Sequence, residues 1–185
     1  MYAIVDIETT GGYAAANGIT EIAVYIHDGE RVVKHFETLI NPQQDIPRFI
    51  TGLTGIDEDM VADAPTFDEV ADVLFDLLND KIFIAHNVNF DYSFLKHHFK
   101  AAGYELTAKK LCTVRLTKKV FPELPSYSLG NLCRLLQLPI KNRHRAGGDA
   151  MATVKLFERC LANNGNLHIE QMLKKSSADQ WLPLH

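Results

Sequence analysis

The chain has few cysteines and no long hydrophobic run. Its 185 residues include three cysteines, Cys112, Cys133 and Cys160, and none of them forms a C-x-x-C pair. An odd number of widely spaced cysteines suits neither a disulfide framework nor a cysteine-based zinc site, so we expect buried, reduced thiols in a cytoplasmic protein. Apolar runs such as residues 22–26 are too short to span a bilayer, and the first residues lack the pattern of a signal peptide. We therefore expect no membrane partner.

A positive net charge is also lacking, because 19 lysines and arginines stand against 23 acidic residues, for a formal charge of -4. Taken alone, this value argues against nucleic-acid binding. The charges are unevenly distributed, however: residues 1–95 carry 4 basic and 17 acidic side chains, whereas residues 96–145 carry 11 basic and 2 acidic ones. Such asymmetry suggests a phosphate-bearing partner, although two solvated faces of opposite charge would give the same count.

The length and the 46% hydrophobic content predict one globular domain with a substantial core. Three β-type runs open the chain, and Asp28-Gly29 predicts a hairpin between the second and the third. Helices and strands then alternate, beginning with a capping box formed by Thr66 and Glu69. The predicted strands are 2–7, 19–27, 32–40, 81–86 and 111–114, and the predicted helices begin at residue 66 and cover 89–102, 128–136, 146–162 and 167–174. This order predicts an α/β fold, in which a mixed sheet starts with three antiparallel strands, continues with parallel strands and is flanked by helices.

Several carboxylates follow the predicted strands. Asp6 and Glu8 lie two residues apart at the end of the first strand, so they point to the same face. Asp91 lies on the first turn of the helix after strand 81–86, and Asp149 lies early in the helix that begins near Ala146. Each acid alone could be solvated or could interact with its own helix dipole. Together they meet at the sheet edge where open α/β folds bind ligands, and divalent cations would relieve their mutual repulsion.

Oxygen ligands of this kind favour Mg²⁺ or Mn²⁺. Two such ions about 3.5–4 Å apart can activate an attacking water and stabilise the leaving oxygen of a phosphodiester. His144 lies five residues before Asp149, between Arg143 and Arg145. A neutral imidazole there could act as a general base, although a histidine between two arginines could equally be exposed and idle.

Three segments together resemble the exonuclease motifs of the DEDDh family, which contains the proofreading epsilon subunit of bacterial DNA polymerase III. They are Asp6-Ile7-Glu8-Thr9-Thr10-Gly11, then His86-Asn87-x-x-Phe90-Asp91, then His144 with Asp149. The resemblance covers about residues 1–163, the expected exonuclease domain. It implies an RNase H-like fold and a metal-dependent 3′→5′ exonuclease that releases nucleoside 5′-monophosphates from single-stranded or frayed DNA 3′ ends. Residues 164–185 would be a docking tail, a helix covering the core, or the start of a longer chain.

The resemblance also implies roles for individual residues. Asp6, Glu8 and Asp149 would hold one metal ion, Asp6 would bridge to a second ion near Asp91, and His144 would take a proton from the attacking water. The residues expected near the substrate are Thr9, Thr10, Gly11, Asn87 and Phe90, with Leu53 and Ile56 separating the last bases. For Leu53, Ile56 and Phe90, a plain core position is an equally good interpretation.

The third motif departs from the family pattern, because Gly147-Gly148 replaces a bulkier residue, and this predicts a mobile His144 loop. The basic residues of segment 96–145 could line the approach of the strand to the site. Two other functions stay open at this point. One is an RNA 3′ exonuclease similar to oligoribonuclease, and the other is a scaffold or binding module that acts through a partner. A polymerase or another nuclease could be such a partner.

Overall fold

Five strands form one mixed sheet in the computed structural model, which describes the backbone of residues 1–178 and the side chains of residues 1–174. In the spatial order β3-β2-β1-β4-β5, β1 pairs antiparallel with β2, and β2 with β3, whereas β4 runs parallel to β1 and β5. The strands are β1 (Tyr2–Thr9), β2 (Ile19–His27), β3 (Val32–Leu39), β4 (Ile82–Ala85) and β5 (Lys110–Cys112). The predicted antiparallel start and parallel continuation are confirmed.

Eight helices connect or cover these strands in the described part of the chain. They are α1 (Arg48–Thr54), α2 (Glu58–Val61), α3 (Phe67–Leu78), α4 (Asn89–Ala101), α5 (Thr113–Val120), α6 (Leu129–Leu135), α7 (Ala146–Leu161) and α8 (Gly165–Ala178). The capping box of Thr66 and Glu69 begins α3, as predicted. Residues 179–185, which end the predicted tail 164–185 and include Trp181-Leu182-Pro183-Leu184, lie outside the described residues.

Two parts of the secondary structure differ from the prediction. The segment between β3 and α3, for which no helix was predicted, contains the short helices α1 and α2, which begin after Pro47 and Asp57. The predicted strand 111–114 ends at Cys112, because Thr113, Leu116 and Thr117 are buried at helical spacing and begin α5 instead. In both places the element is too short for hydrophobic periodicity to identify it.

Both faces of the sheet are covered by helices. Alternate residues of β1 enter two separate cores: Val5 packs in the core that includes residues of α3 and α4, and Ile4 in the core that includes residues of α5 and α7. Because both faces of the sheet are covered, all nine residues of β2 are buried, and neither face of this strand is exposed to solvent. Ile169 of α8 is buried in the second core.

The three cysteines are free and buried, as their spacing predicted. Among the described residues, no helix combines the length and the hydrophobicity that crossing a membrane requires.

Two neighbouring residues of α3, Leu74 and Val73, allow a test of how this helix packs on the sheet. We expect Leu74→Ala to lower the free energy of unfolding by about 2–5 kcal/mol, because Leu74 is fully buried in the first core. The matched control is Val73→Ala, since Val73 is 49% exposed on the same helix, and a change within about 0.5 kcal/mol is expected. Urea unfolding followed by circular dichroism measures both values. If the two variants lost equal amounts of unfolding free energy, the assignment of Leu74 to the buried face of α3 and of Val73 to its exposed face would be contradicted.

Candidate functional site

Three carboxylates from two elements meet at one edge of the sheet. One oxygen atom each of Asp6, Glu8 and Asp149 lies within 4.8 Å of the other two. Asp6 and Glu8 share a face of β1, and Asp149 extends from the first turn of α7, which packs across β1 and β2. The structure therefore brings Asp149 to two acids from which it is separated in sequence by more than half of the chain.

The fourth predicted acid lies beside this group. Asp91, on the first turn of α4, is only 3% exposed, and its negative charge contributes to a raised pKa of Asp6. Hydrogen bonds from the backbone of Asp91 itself and of Ile7 partly stabilise the ionised Asp91 carboxylate. Asp91 reaches Asp6 because β1 and β4 are parallel neighbours, so the helix that follows β4 begins at the carboxyl end of β1.

Burial and mutual repulsion make this cluster unfavourable when all four groups are ionised. Burial raises the pKa of Asp91 to about 8, and burial together with the charge of Asp149 raises the pKa of Glu8 to about 7. Burial first, and then the charge of Asp91, raises the pKa of Asp6 well above its usual range, and burial also raises the pKa of Asp149. A site of this kind needs positive charge to be fully ionised near neutral pH.

The Asp149 carboxylate indicates where that charge would bind. Its Oδ1 atom is buried without a hydrogen-bond partner among the described residues, and the Nε atom of Arg143 lies 3.7 Å away, beyond hydrogen-bond distance. Its Oδ2 atom accepts a hydrogen bond of 3.2 Å from the backbone N–H of His144. An unpartnered buried oxygen within a carboxylate cluster fits a divalent cation that prefers oxygen ligands.

His144 lies on the turn before α7. It is half-buried and adopts a left-handed backbone conformation with φ of 62°. Its backbone bond to Asp149 fixes the turn, and its side chain is close enough to affect the pKa of Asp149. The structure thus places this histidine next to the carboxylates, as the third motif predicted.

The two glycines after Ala146 have a packing role. A Cβ atom on Gly148 would overlap with the backbone carbonyls of Lys141 and Asn142, and a Cβ atom on Gly147 would overlap with the Glu37 carboxylate. Because Gly148 carries no side chain, the turn that holds His144 lies directly against the first turn of α7, and because Gly147 carries none, the Glu37 side chain of β3 approaches that helix turn closely. This close contact is a structural reason for the glycines, whereas the predicted mobility of the turn stays a prediction.

Hydrogen bonds of Thr9 and Thr10, the two threonines of the first motif, hold the loop that follows them. The Thr10 hydroxyl accepts hydrogen bonds from the Gly18 N–H at 3.0 Å and from Gln44 Nε2 at 2.8 Å. The Thr9 hydroxyl donates to the Gly11 carbonyl at 2.8 Å, and a Cβ atom on Gly11 would overlap with the Asn17 side chain. Thr9 and Thr10 are both buried. These residues shape the loop beside the carboxylates, and a role in binding the terminal nucleotide stays a prediction.

The remaining predicted substrate residues differ in exposure. Leu53 of α1 is 53% exposed, whereas Ile56 is fully buried in a small core with Ile50 and Val61. The side chain of Ile56 therefore supports this segment and does not present a surface to a ligand. Asn87 is exposed with a positive φ, and the half-buried Phe90 packs against Phe94.

Two residues near the site were missed by the sequence analysis as participants. Glu21 of β2 lies opposite Glu8, is 2% exposed and binds Arg145. A lone acid within an apolar strand, in register with Glu8, was the available signal.

His86 hydrogen-bonds Thr113 and the Tyr127 carbonyl, and its pKa is lowered to about 4, chiefly by burial. The neutral ring therefore links the end of β4 to α5 and to the segment before α6.

The two glycines of the third motif provide a matched pair of variants. We expect Gly148→Ala to displace the Lys141–Asn142 backbone and with it His144, lowering both the melting temperature and any activity that depends on His144. Gly147→Ala should be tolerated better, because its only overlap is with the exposed, flexible Glu37 side chain. Thermal unfolding measures the difference, and equal destabilisation by the two variants would contradict the close contact at Gly148.

Comparison with known proteins agrees with this geometry. The model of the exonuclease family RNase_T matches residues 3–157. The chain is 35% identical over 170 residues to the 3′-5′ exonuclease DinG of Staphylococcus epidermidis, covering 91% of this chain and 19% of that protein. It is also 35% identical over 176 residues to the PolC-type DNA polymerase III of Caldanaerobacter subterraneus, covering 95% of this chain and 13% of that protein. The chain thus spans about a fifth or less of the length of these relatives.

Solved structures give the same result. Exonuclease X in complex with 5′ overhanging duplex DNA superposes with a TM-score of 0.73 at 27% identity, covering 89% of this chain and 93% of that one. Escherichia coli exonuclease I in complex with a dT13 oligonucleotide gives a TM-score of 0.77 at 17% identity, covering 92% of this chain and 42% of that one, and supports the fold alone. The fold is therefore RNase H-like, and the chain belongs to the RNase_T family of exonucleases, with the motifs of the DEDDh type.

Proposed function

We propose that the chain is the catalytic unit of a metal-dependent 3′→5′ exonuclease that acts on single-stranded or frayed DNA 3′ ends. The observation that carries this proposal is the convergence of Asp6, Glu8 and Asp149 within 4.8 Å, with Asp91 beside Asp6. Relatives named 3′-5′ exonuclease and a structural neighbour solved with DNA support the polarity and the substrate. The products would be nucleoside 5′-monophosphates.

The carboxylates fit two divalent ions, Mg²⁺ or Mn²⁺. Asp6, Glu8 and Asp149 would hold one ion, and Asp6 would share the second with Asp91, directly or through water. When bound, such ions supply Lewis acidity towards water and towards the oxygens of the phosphodiester. The unpartnered Oδ1 of Asp149 supports this assignment, because a buried carboxylate oxygen without a donor is costly unless a cation binds it.

In the proposed mechanism, the imidazole of His144 accepts a proton from the attacking water. The resulting hydroxide attacks the phosphorus of the terminal nucleotide, and the bond from this phosphorus to the 3′-oxygen of the preceding nucleotide breaks. This 3′-oxygen takes a proton from water as the shortened strand leaves, and His144 returns its proton to the solvent. The hydrogen bond from the His144 backbone to Asp149 holds the base and a metal ligand at a constant separation during this step.

The basic residues of segment 96–145 would contribute unequally to strand binding. Arg143 and Arg145 flank His144 and lie at the site. Lys110 of β5 pairs with Phe83, and Phe83 pairs with Ala3, three residues before Asp6. Lys110 therefore lies towards the other end of the sheet. Arg143 is therefore the better candidate for a contact with the scissile end, because the Arg145 guanidinium is bound to Glu21, and exposed Leu53 is the better candidate for a contact with a base.

The lengths of the relatives support a proposal about the larger protein system in which this activity operates. Because the chain matches only 13–19% of the length of DinG and PolC, we propose that residues 1–163 act as an exonuclease domain within a larger DNA-processing system, for proofreading or repair. A polymerase or another nuclease activity would be the partner, with residues 164–185 covering the core or docking. The free, buried thiols support a cytoplasmic location.

Digestion of 5′-labelled single-stranded DNA tests the proposal. We expect a ladder of progressively shortened products in Mn²⁺ and none in EDTA. Asp149→Asn should reduce the rate at least about 100-fold, since loss of groups that merely orient metal ligands already costs about 10–100-fold. Asp45→Asn, an exposed acid outside the site, is the control that should keep full activity.

Three outcomes would change the assignment. A matched RNA oligonucleotide that is digested faster than the DNA would favour the ribonuclease alternative. Internal cleavage would exclude an exonuclease. An intact Mn²⁺-loaded protein that degrades neither substrate would favour the scaffold alternative.

The raised pKa of Glu8 predicts a pH-dependent effect on stability. In the metal-free protein, protonated Glu8 is favoured by folding, so its stabilising contribution is present at low pH and is lost as the pH rises towards 7. We therefore expect Glu8→Gln to raise the melting temperature of the metal-free protein at about pH 8 by at least about 2 °C more than at about pH 5. Mn²⁺ should reverse the order of the two melting temperatures at the higher pH, because a carboxylate at position 8 binds the ion more strongly than an amide does. Differential scanning calorimetry measures both effects, and a pH-independent difference would contradict the buried charge cluster.

A further inference from the structure

Helix α7 carries Asp149 and has no cap of its own. The residue at its N-cap position is Arg145, whose side chain makes no capping hydrogen bond. Instead, the backbone N–H of Ala146 donates to Oε2 of Glu21 at 2.8 Å, across 125 positions in the sequence. A carboxylate on a neighbouring strand thus satisfies the first free donor of the helix and interacts favourably with its dipole. The start of α7 is thereby attached to β2.

The same carboxylate also holds the residue after His144. Arg145 Nε donates to Glu21 Oε2 at 3.0 Å, and Nη2 donates to Oε1, so the guanidinium binds both oxygens. Glu21 is 2% exposed, whereas the Arg145 side chain is 34% exposed. Paired bonds of this type restrict the orientation of both groups more strongly than a single charge contact does.

These contacts connect the strand that carries Asp6 and Glu8 with the segment that carries His144 and Asp149. Glu21 pairs in register with Glu8 across β1 and β2, so its backbone lies next to the strand that carries two of the carboxylates. Arg145 and Ala146 lie between His144 and Asp149 in the chain, so a bond to either residue limits the movement of both motif residues. Glu21 is therefore placed to set the position of the third motif relative to the first.

We propose that Glu21 and Arg145 form a positioning pair, which sets His144 and Asp149 at their working distance from Asp6 and Glu8. This inference rests on the proposed function. Neither residue reaches the reacting atoms in this role. An error of about 1 Å in the placement of catalytic groups can cost about 100-fold in rate, so loss of the pair should lower kcat in a protein that still folds.

The test uses Arg145→Lys, which keeps the positive charge and the helix but removes the paired geometry. Its control is Arg31→Lys, an exposed arginine on the β2–β3 hairpin. Three measurements are made on each protein: the melting temperature, the affinity for Mn²⁺ in the absence of DNA, and the steady-state kinetics on single-stranded DNA, which give kcat and KM. The control should match the unaltered protein in all three.

For Arg145→Lys we expect a fall in kcat of about 10–100-fold and a weaker Mn²⁺ affinity, with less change in KM and a folded protein. A second variant, Glu21→Gln, should show the same pattern, and the double variant should lose little more than either single one, because the two residues act as a unit. A purely structural role predicts a lower melting temperature, with unchanged kcat and Mn²⁺ affinity below the unfolding transition.

The outcomes separate this inference from the proposed function. If the unaltered protein has no nuclease activity, the proposed function fails, and the Mn²⁺ titration still tests the pair. If the unaltered protein is active and Arg145→Lys keeps both kcat and Mn²⁺ affinity within about twofold, the positioning pair is overturned. If Glu21→Gln does not fold, the result for Arg145→Lys alone decides.

Discussion

The placement of four carboxylates at one partly buried sheet edge is the constraint on which the rest of the site depends. Each carboxylate is desolvated, and each repels its neighbours, so the raised pKa values of Asp6, Glu8, Asp91 and Asp149 have a common origin. When all four groups are ionised, such a cluster needs support from the surrounding structure and compensation by positive charge. The backbone hydrogen bonds to Asp91 and Asp149 supply part of that support, and the unpartnered oxygen of Asp149 leaves room for the cation.

The sheet topology holds the acids together. β1 supplies two of them directly, and its parallel neighbour β4 delivers the third through the start of α4. The fourth comes from α7, whose first turn is attached to β2 through the buried carboxylate of Glu21 and is approached closely by the turn at Asn142 because Gly148 has no side chain. Two acidic residues thus have different tasks: Asp149 belongs to the cluster, and Glu21 holds the helix that carries Asp149.

Much of the fold could be predicted from local patterns. The hairpin at Asp28-Gly29, the capping box before α3 and the alternation of helices and strands all appear in the structure where the sequence placed them. The short helices α1, α2 and α5 were not predicted, although the equally short α6 was, because four to eight residues contain few periods of a hydrophobic pattern and tertiary packing decides their conformation. The role of Ile56 also depended on packing, since its neighbours in the small core come from separate turns of the chain.

The motifs alone identified the acids Asp6, Glu8, Asp91 and Asp149, the nearby His144 and the family of the chain, because their types and order are local properties of the sequence. Only the tertiary structure decided which oxygen of Asp149 lacks a partner, why Gly147 and Gly148 are small, and that Glu21 binds Arg145. For the contact of Glu21 with Arg145, and for that of Gly147 with Glu37, the physical reason is distance along the chain. Contacts that join residues more than a hundred positions apart leave no periodic signal in sequence, and they form only when strands and helices pack against one another.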